Sequence, residues 1–460
     1  MRCLGWMAEW LCSGLQSRSR RFDSGFSLQY TRIMKFFFTS FFFFFKRIFI
    51  SIEVDFIFSY HKSFAGADGT LPELIEPLIS YCKKYNYSYL IFEETDIVSQ
   101  EKFIFPDKAV PLIFISLIES FLRKFFTWTS SENFRQDWRQ GINRGALDQK
   151  VSKITSFFVS TIECKKIITL VSHKSNFWFY GLPSADMYDL QHGIIFDGDI
   201  NYLFNGLPPE FKVRTEMKTL VHSDLFKNLL IKGDTSNFYN EQNVKNIGRH
   251  PNVFKSHIHK NKNISDSKHI LFSAQNALDC EHEEREIYTK KVTNFFKIIE
   301  PILKENGLRI LHRDHPRADL SVHIPYLDFD YISRSNQPKL FDDFQNSVFH
   351  MTFNSSSAIE AASFGLPTIF LELDNPTSGD FPELAAKDIF FRQYEYPLIK
   401  CLVSSPEEFE LAIQDIFLKS SVHQTILDWH KKLATRMTDN LVSDALDLNN
   451  KTIGALENGQ

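Results

Sequence analysis

Cysteine is scarce: the 460-residue chain has six (Cys3, Cys12, Cys82, Cys164, Cys280, Cys401), and no two form a C-x-x-C pair. That spacing excludes a zinc ribbon or a disulfide framework and suits a reducing, cytoplasmic setting. An excess of either charge is also missing, since 52 Lys and Arg stand against 56 Asp and Glu for a formal charge of −4. No nucleic-acid partner is expected from so balanced a chain, and any anion must be held by a local site. No apolar run reaches the roughly 20 residues that a membrane-spanning helix needs, and no repeat of the solenoid type is visible.

What the chain has in abundance is phenylalanine, 47 residues of it. Phe36 to Phe45 is apolar except for Thr39 and Ser40, and then meets Lys46 and Arg47. Arg20, Arg21 and Arg32 precede this run as in a signal peptide, but no A-x-A-like cleavage site follows. The plain reading is a buried or interfacial segment. The functional one is a peripheral contact at the inner face of a membrane, with phenylalanines inserted and Lys46 and Arg47 at the headgroups. Residues 1–33 mix Trp6, Trp10, serines and a basic cluster without period, and read as an appended segment, with Met34 as an alternative start.

A chain of this length exceeds what one hydrophobic core serves, so two domains are expected. Apolar β-rich runs alternate with helical spacing throughout, which implies parallel sheets covered by helices. Strands are expected at Ile48–Tyr60, Tyr89–Phe92 and Lys166–Val171, and helices at Leu71–Tyr85 and Lys108–Phe126. The polar stretch His257–Ser267 suggests a boundary, giving an N-terminal domain over 34–258 and a C-terminal domain over 259–420. In the latter, strands are expected at His269–Ser273, Leu308–Leu311, Ser347–Thr352 and Thr368–Leu371, and helices at Ile287–Leu303 and Glu407–Phe417. A C-terminal helix and tail fill 421–460, with Trp429, Leu433, Met437 and Leu441 at helical spacing.

Three fragments carry chemistry. In the first, a strand runs into Asn354-Ser355-Ser356-Ser357, and a short helix follows to Phe364, closed by Gly365 and Pro367. Serine hydroxyls and unpaired amides at a helix start suit a phosphate, and Glu360, one turn in, can accept from ribose hydroxyls. The plain alternative is a capped helix with Glu360 completing the capping pattern. The second, Arg313-Asp314-His315-Pro316-Arg317, follows a strand directly, where ligand clefts of open α/β sheets lie. The third, Gln191-His192-Gly193, places a histidine beside a permissive glycine. Asp197-Gly198-Asp199 has the letters of a metal-binding D-x-D, but Asp and Gly in a loop read as a turn. Gly248-Arg249-His250-Pro251 would sit at a hinge, with Arg249 available to close the cleft, or form a simple turn.

Q-H-G, R-x-H-P and S-S-S-A-I-E-A-A-S-F-G-L-P-T-I, in that order, resemble the pattern of GT-B-fold bacterial surface and capsular polysaccharide glycosyltransferases, including polysialyltransferase-like and teichoic-acid-transferase-like enzymes. The resemblance spans roughly residues 160 to 420. It implies an α/β protein of two Rossmann-like domains facing a cleft, and a transferase without metal or cofactor. A nucleotide-sugar donor would sit on the C-terminal domain, and a glycan or lipid-linked acceptor on the other. By position, His315 with Arg313 and Arg317 would contact the donor phosphate. Ser355, Ser356 and Ser357 would hold phosphate oxygens and Glu360 the ribose. His192, flanked by Gln191 and Gly193, would face the acceptor as base, with Glu93, Glu94 and Asp96 as rivals. Two other functions use the same scaffold: a UDP-sugar 2-epimerase-like enzyme, and a non-catalytic carbohydrate- or nucleotide-binding partner of a polysaccharide assembly complex.

Overall fold

In a computed structural model, the described residues are 37–47, 49–61, 71–72, 74–94, 109–129, 144–170, 174–193, 195, 201–249, 269–274, 282–314, 323–337, 340–353, 355, 357–372, 399–418 and 421–448. They form two open sheets. The first contains β1 (Ile52–His61), β2 (Tyr89–Glu94), β3 (Ala109–Pro111), β4 (Ile162–Leu170), β5 (Asp186–Leu190), β6 (Lys218–Val221) and β7 (Val244–Asn246). Their order is β3-β2-β1-β4-β5-β6-β7, and all neighbours are parallel. The second contains β8 (His269–Ser273), β9 (Arg309–Arg313), β10 (Ile332–Arg334), β11 (Ser347–Thr352), β12 (Thr368–Glu372) and β13 (Ile399–Leu402) in the order β10-β9-β8-β11-β12-β13, again all parallel.

In its own numbering the second sheet runs 3-2-1-4-5-6, the doubly wound order of a Rossmann domain, and the first runs the same order with a seventh strand added at the β6 edge. The chain is two Rossmann-like domains facing a crevice, the GT-B arrangement. Buried strands explain the sequence pattern: Ile57, Phe58, Ile167 and Ile168 are fully buried neighbours, because helices cover both faces of each sheet. One face of the first sheet packs Phe44, Phe114, Phe177 and Trp178, and the other packs helix Glu76–Lys84 together with Met437, Val442 and Leu446.

Those last three residues belong to the C-terminal segment. Helical spacing suggests one helix there, but the structure breaks it into Ser421–Leu433 and Asp439–Ala445. The break occurs where the chain crosses back. Thr435 N donates to His222 O (3.0 Å), Arg249 N donates to Thr435 O (2.7 Å), and Met437 N donates to Arg249 O (2.9 Å). Backbone pairing with the first domain thus replaces helical hydrogen bonds at this point. Gly248 makes the approach possible: its φ is +78°, and a Cβ there would lie 2.7 Å from the Met437 backbone. The region expected as a helix from Lys108 also begins differently. Ala109–Pro111 forms an edge strand beside β2, and the helix runs Ile113–Thr129. A three-residue strand ending in proline leaves little periodic signal.

Candidate functional site

One crevice is lined by both domains. Gln191, His192, Gly193, His222, Phe226 and Arg249 come from the first, Ile359 and Glu360 from the second, and Leu433 and Ala434 from the returning C-terminal segment. The geometry follows from topology. The 191–193 loop leaves the carboxyl end of β5, and helix Ser357–Ser363 follows β11, the strand at the switch point of the second sheet. Carboxyl ends at such switch points are where open α/β sheets bind ligands.

The first-domain wall is a side-chain network. Gln191 is fully buried; its Oε1 accepts from His222 N (2.7 Å) and its Nε2 donates to Gly193 O (2.7 Å), so the loop is braced against the end of β6. His192 Nδ1 lies 3.3 Å from the Tyr202 hydroxyl, which also accepts from His192 N (3.4 Å). Beneath the Tyr202 ring, 4.2 Å from its centroid, sits the fully buried Lys212 ammonium, paired with Asp189 Oδ2 at 2.6 Å. Burial lowers the pKa of His192, and Lys212 adds to that effect while Asp189 opposes it. His222 is pushed further down by burial, then by Arg249 and His192. Both shifts favour the neutral imidazole. An added Cβ at Gly193 would meet nothing within 4 Å, so this glycine leaves open space rather than relieving a clash.

The second-domain wall rests on backbone and small hydroxyls. Ser355 Oγ accepts from Ser357 N (3.2 Å), and the buried Ser357 hydroxyl lies 3.3 Å from His350 Nε2. His350, wholly buried, also meets Ser273 Oγ at 2.9 Å and Thr368 Oγ1 at 3.0 Å, and burial drives its pKa to about 3. Ser355 and Ser357 thus hold the turn that starts the helix. One turn in, Glu360 Oε1 pairs with Arg249 Nη2 across the crevice. Glu360 Oε2 and Arg249 Nε are buried and lack any hydrogen-bond partner among the described residues. Unsatisfied groups of this kind need water or a ligand.

Of the other expected residues, Arg313, Glu93 and Glu94 are described and do not line this crevice. Arg313 Nη1 donates to Gln337 O (2.7 Å) and to Asp343 Oδ2 (2.8 Å), and Asp343 is itself fully buried and bonded to Ser335 Oγ at 2.6 Å. Glu94 and Glu93 end β2, separated from β5 by β1 and β4; they accept from Ser59 Oγ (2.9 Å) and Tyr60 Oη (3.1 Å) and do not line this crevice. His315, Arg317, Ser356, Asp96 and Asp197–Asp199 lie outside the described residues. His222, Tyr202, Lys212 and Asp189 carry no motif in the sequence.

No protein-family model matches the chain, and no curated protein does. Among solved structures, it is similar to a UDP-GlcNAc 2-epimerase from Methanocaldococcus jannaschii (13% identity, 86% of this chain and 100% of that one, TM-score 0.48). A wall teichoic acid polymerase, TagF, gives 12% identity over 88% and 90% of the two chains, with a TM-score of 0.48. A trehalose 6-phosphate synthase from Burkholderia multivorans gives 11% over 89% and 99%, with a TM-score of 0.46. At these TM-scores the assignment of two Rossmann-like domains rests on the two sheets themselves.

Proposed function

We propose that the crevice binds a nucleotide-activated sugar and that the protein is a glycosyltransferase acting on a glycan or lipid-linked surface-polysaccharide acceptor. The observation that carries this reading is the unsatisfied pair at the centre of the crevice. Glu360 presents a buried carboxylate oxygen and Arg249 a buried N–H, each without a partner among the described residues. A ribose hydroxyl donating to Glu360 and a phosphate oxygen accepting from Arg249 would satisfy both.

Across the crevice, His192 has the chemistry of a base. Burial favours its neutral imidazole, the form that can take the proton of an acceptor hydroxyl. The bond formed joins the acceptor oxygen to the sugar carbon, and the bond broken joins that carbon to the leaving phosphate. Arg249 would offset the charge that gathers on the departing phosphate oxygens. His315 and Arg317, by the resemblance of their motif, would act at the same phosphate.

The test is incubation of the purified chain with UDP-, CDP- and GDP-sugars, with and without acceptor glycans, following release of free nucleotide. Acceptor-dependent release that falls at least 100-fold in His192→Ala is the expected result. Conversion of the sugar without any acceptor would replace this reading with the epimerase one. No turnover, together with nucleotide binding, would leave a binding protein.

A further inference from the structure

Residues 37–47 form a helix that is aromatic on two sides. Phe37, Phe41 and Phe44 turn inward: Phe41 and Phe114 meet edge-on at 5.3 Å, and Phe44 stacks on Phe92 at 6.2 Å. Ser40 Oγ accepts from Phe114 N, which fixes the helix on the start of helix Ile113–Thr129. The inner stripe is therefore ordinary packing. The outer stripe is not, because Phe38, Phe42, Phe45 and the following Phe49 recur at spacings of four, three and four along one side and are all exposed, Phe49 at 73%.

Helix Ile113–Thr129 continues the feature. It packs on the same face of the first sheet and turns Phe121 and Phe125 outward, stacked at 6.4 Å. Phe114 links this helix to Phe158, and Phe157 beside it is 59% exposed. So many exposed phenylalanines on one layer exceed the scattered apolar residues that every surface carries.

Charge decides what covers them. Lys46, Lys124, Lys150 and Lys153 are exposed on the same layer. The helices over 37–47, Ile113–Thr129 and Arg144–Thr155 hold only two acidic residues, Glu119 and Asp148. Glu119 is buried against Lys174 and Arg123, and Asp148 is paired with Arg123 at 2.8 Å. A second copy of this face would bring like charges together. The chain's first 36 residues are themselves basic, with Arg2, Arg18, Arg20, Arg21 and Arg32 outnumbering Glu9 and Asp23. Among the described residues no helix is long and apolar enough to cross a membrane.

We propose that this layer docks on the surface of an anionic phospholipid bilayer, with the outer phenylalanines inserted at the acyl boundary and the lysines at the headgroup phosphates. The contact is independent of the crevice chemistry. It would leave the enzyme beside a bilayer, where a lipid-linked acceptor is held.

Flotation of the full chain with vesicles tests this. The chain is expected to float with equimolar phosphatidylcholine and phosphatidylglycerol, and to stay behind with phosphatidylcholine alone. Added salt should weaken the association. The triple variant Phe42→Ser/Phe45→Ser/Phe49→Ser should lose at least about tenfold in the vesicle partition coefficient. Lys46→Gln and Lys153→Gln should lose about fivefold each on the anionic vesicles. Thermal melts of every variant report folding; if the triple variant melts early, the two lysine variants, surface changes that leave the packing intact, decide the matter. Failure to float with anionic vesicles would overturn the proposal. So would equal binding to both lipids, or a triple variant that is folded and still binds. Loss of self-association in the triple variant without any lipid binding would show instead that the face joins two copies.

Discussion

On the first-domain wall of the crevice, His192 is held by Tyr202, and Tyr202 lies over a buried lysine–aspartate pair. On the second-domain wall, Glu360 stands on a seven-residue helix whose start is fixed by two serines and an uncharged histidine. Both walls leave parallel sheets that share the same order over six strands. One is therefore built from buried charge, which is costly to disturb, and the other from backbone capping, which is cheap. The histidine proposed as the base belongs to the costly wall, which suits a proton acceptor that must be kept neutral and immobile.

The sharpest way to break the contrast is Lys212→Met. It leaves Asp189 buried without its cation, and unfolding in urea should show a loss of about 3–5 kcal/mol. Adding Asp189→Leu should restore most of that stability, because the desolvation penalty of both charges disappears with them. The hinge comes next. Gly248→Ala puts a Cβ at φ +78° against the Met437 backbone and should cost at least about 2 kcal/mol. Limited proteolysis should then cut at Ala434–Thr438 first.

The buried histidines set a pH dependence. His350 and His222 titrate lower in the folded state than in the unfolded chain, whose histidines protonate near 6.5. Below that value the unfolded state binds more protons, so stability falls as pH drops. The slope approaches about 1.4 kcal/mol per pH unit for each histidine, until the folded pKa is reached, about 3 for His350. Melting temperatures from pH 7.5 to 4.5 should decline accordingly, and less steeply in His350→Gln. A flat profile would mean that these imidazoles are charged or solvated in the fold. Smallest is Ser355→Ala, which removes the cap on the second wall and should lower stability by about 1 kcal/mol in the same urea assay. Should it cost as much as Lys212→Met, the contrast between the walls fails.

Much of the architecture could be read from residue patterns. β8 and β11 were expected over the same residues that form them, because fully buried parallel strands appear as short apolar runs with turn residues at their ends. β6, β7, β10 and β13 are only three or four residues long and blend into their flanks. At the site, Gln191, His192, Gly193 and Glu360 were legible because each follows a strand end, and Arg249 was noted at the hinge. What the sequence did not expose is pairing across distance. Nothing near Lys212 announces Asp189 or Tyr202. Serine spacing likewise suits both a phosphate and a cap, and the hydroxyls of Ser355 and Ser357 are seen to serve the turn. Arg313, placed by its motif at the donor, has its guanidinium on Asp343.

Binding of nucleotide to the crevice is the claim on which the rest depends, and calorimetric titration with UDP, CDP, GDP and CMP measures it directly. The account predicts that one of them binds the wild-type chain and that Glu360→Gln, which leaves the fold intact by its melt, weakens that binding at least tenfold by removing the carboxylate facing the ribose. No binding by any of the four, or undiminished binding in the Glu360→Gln variant, would contradict it.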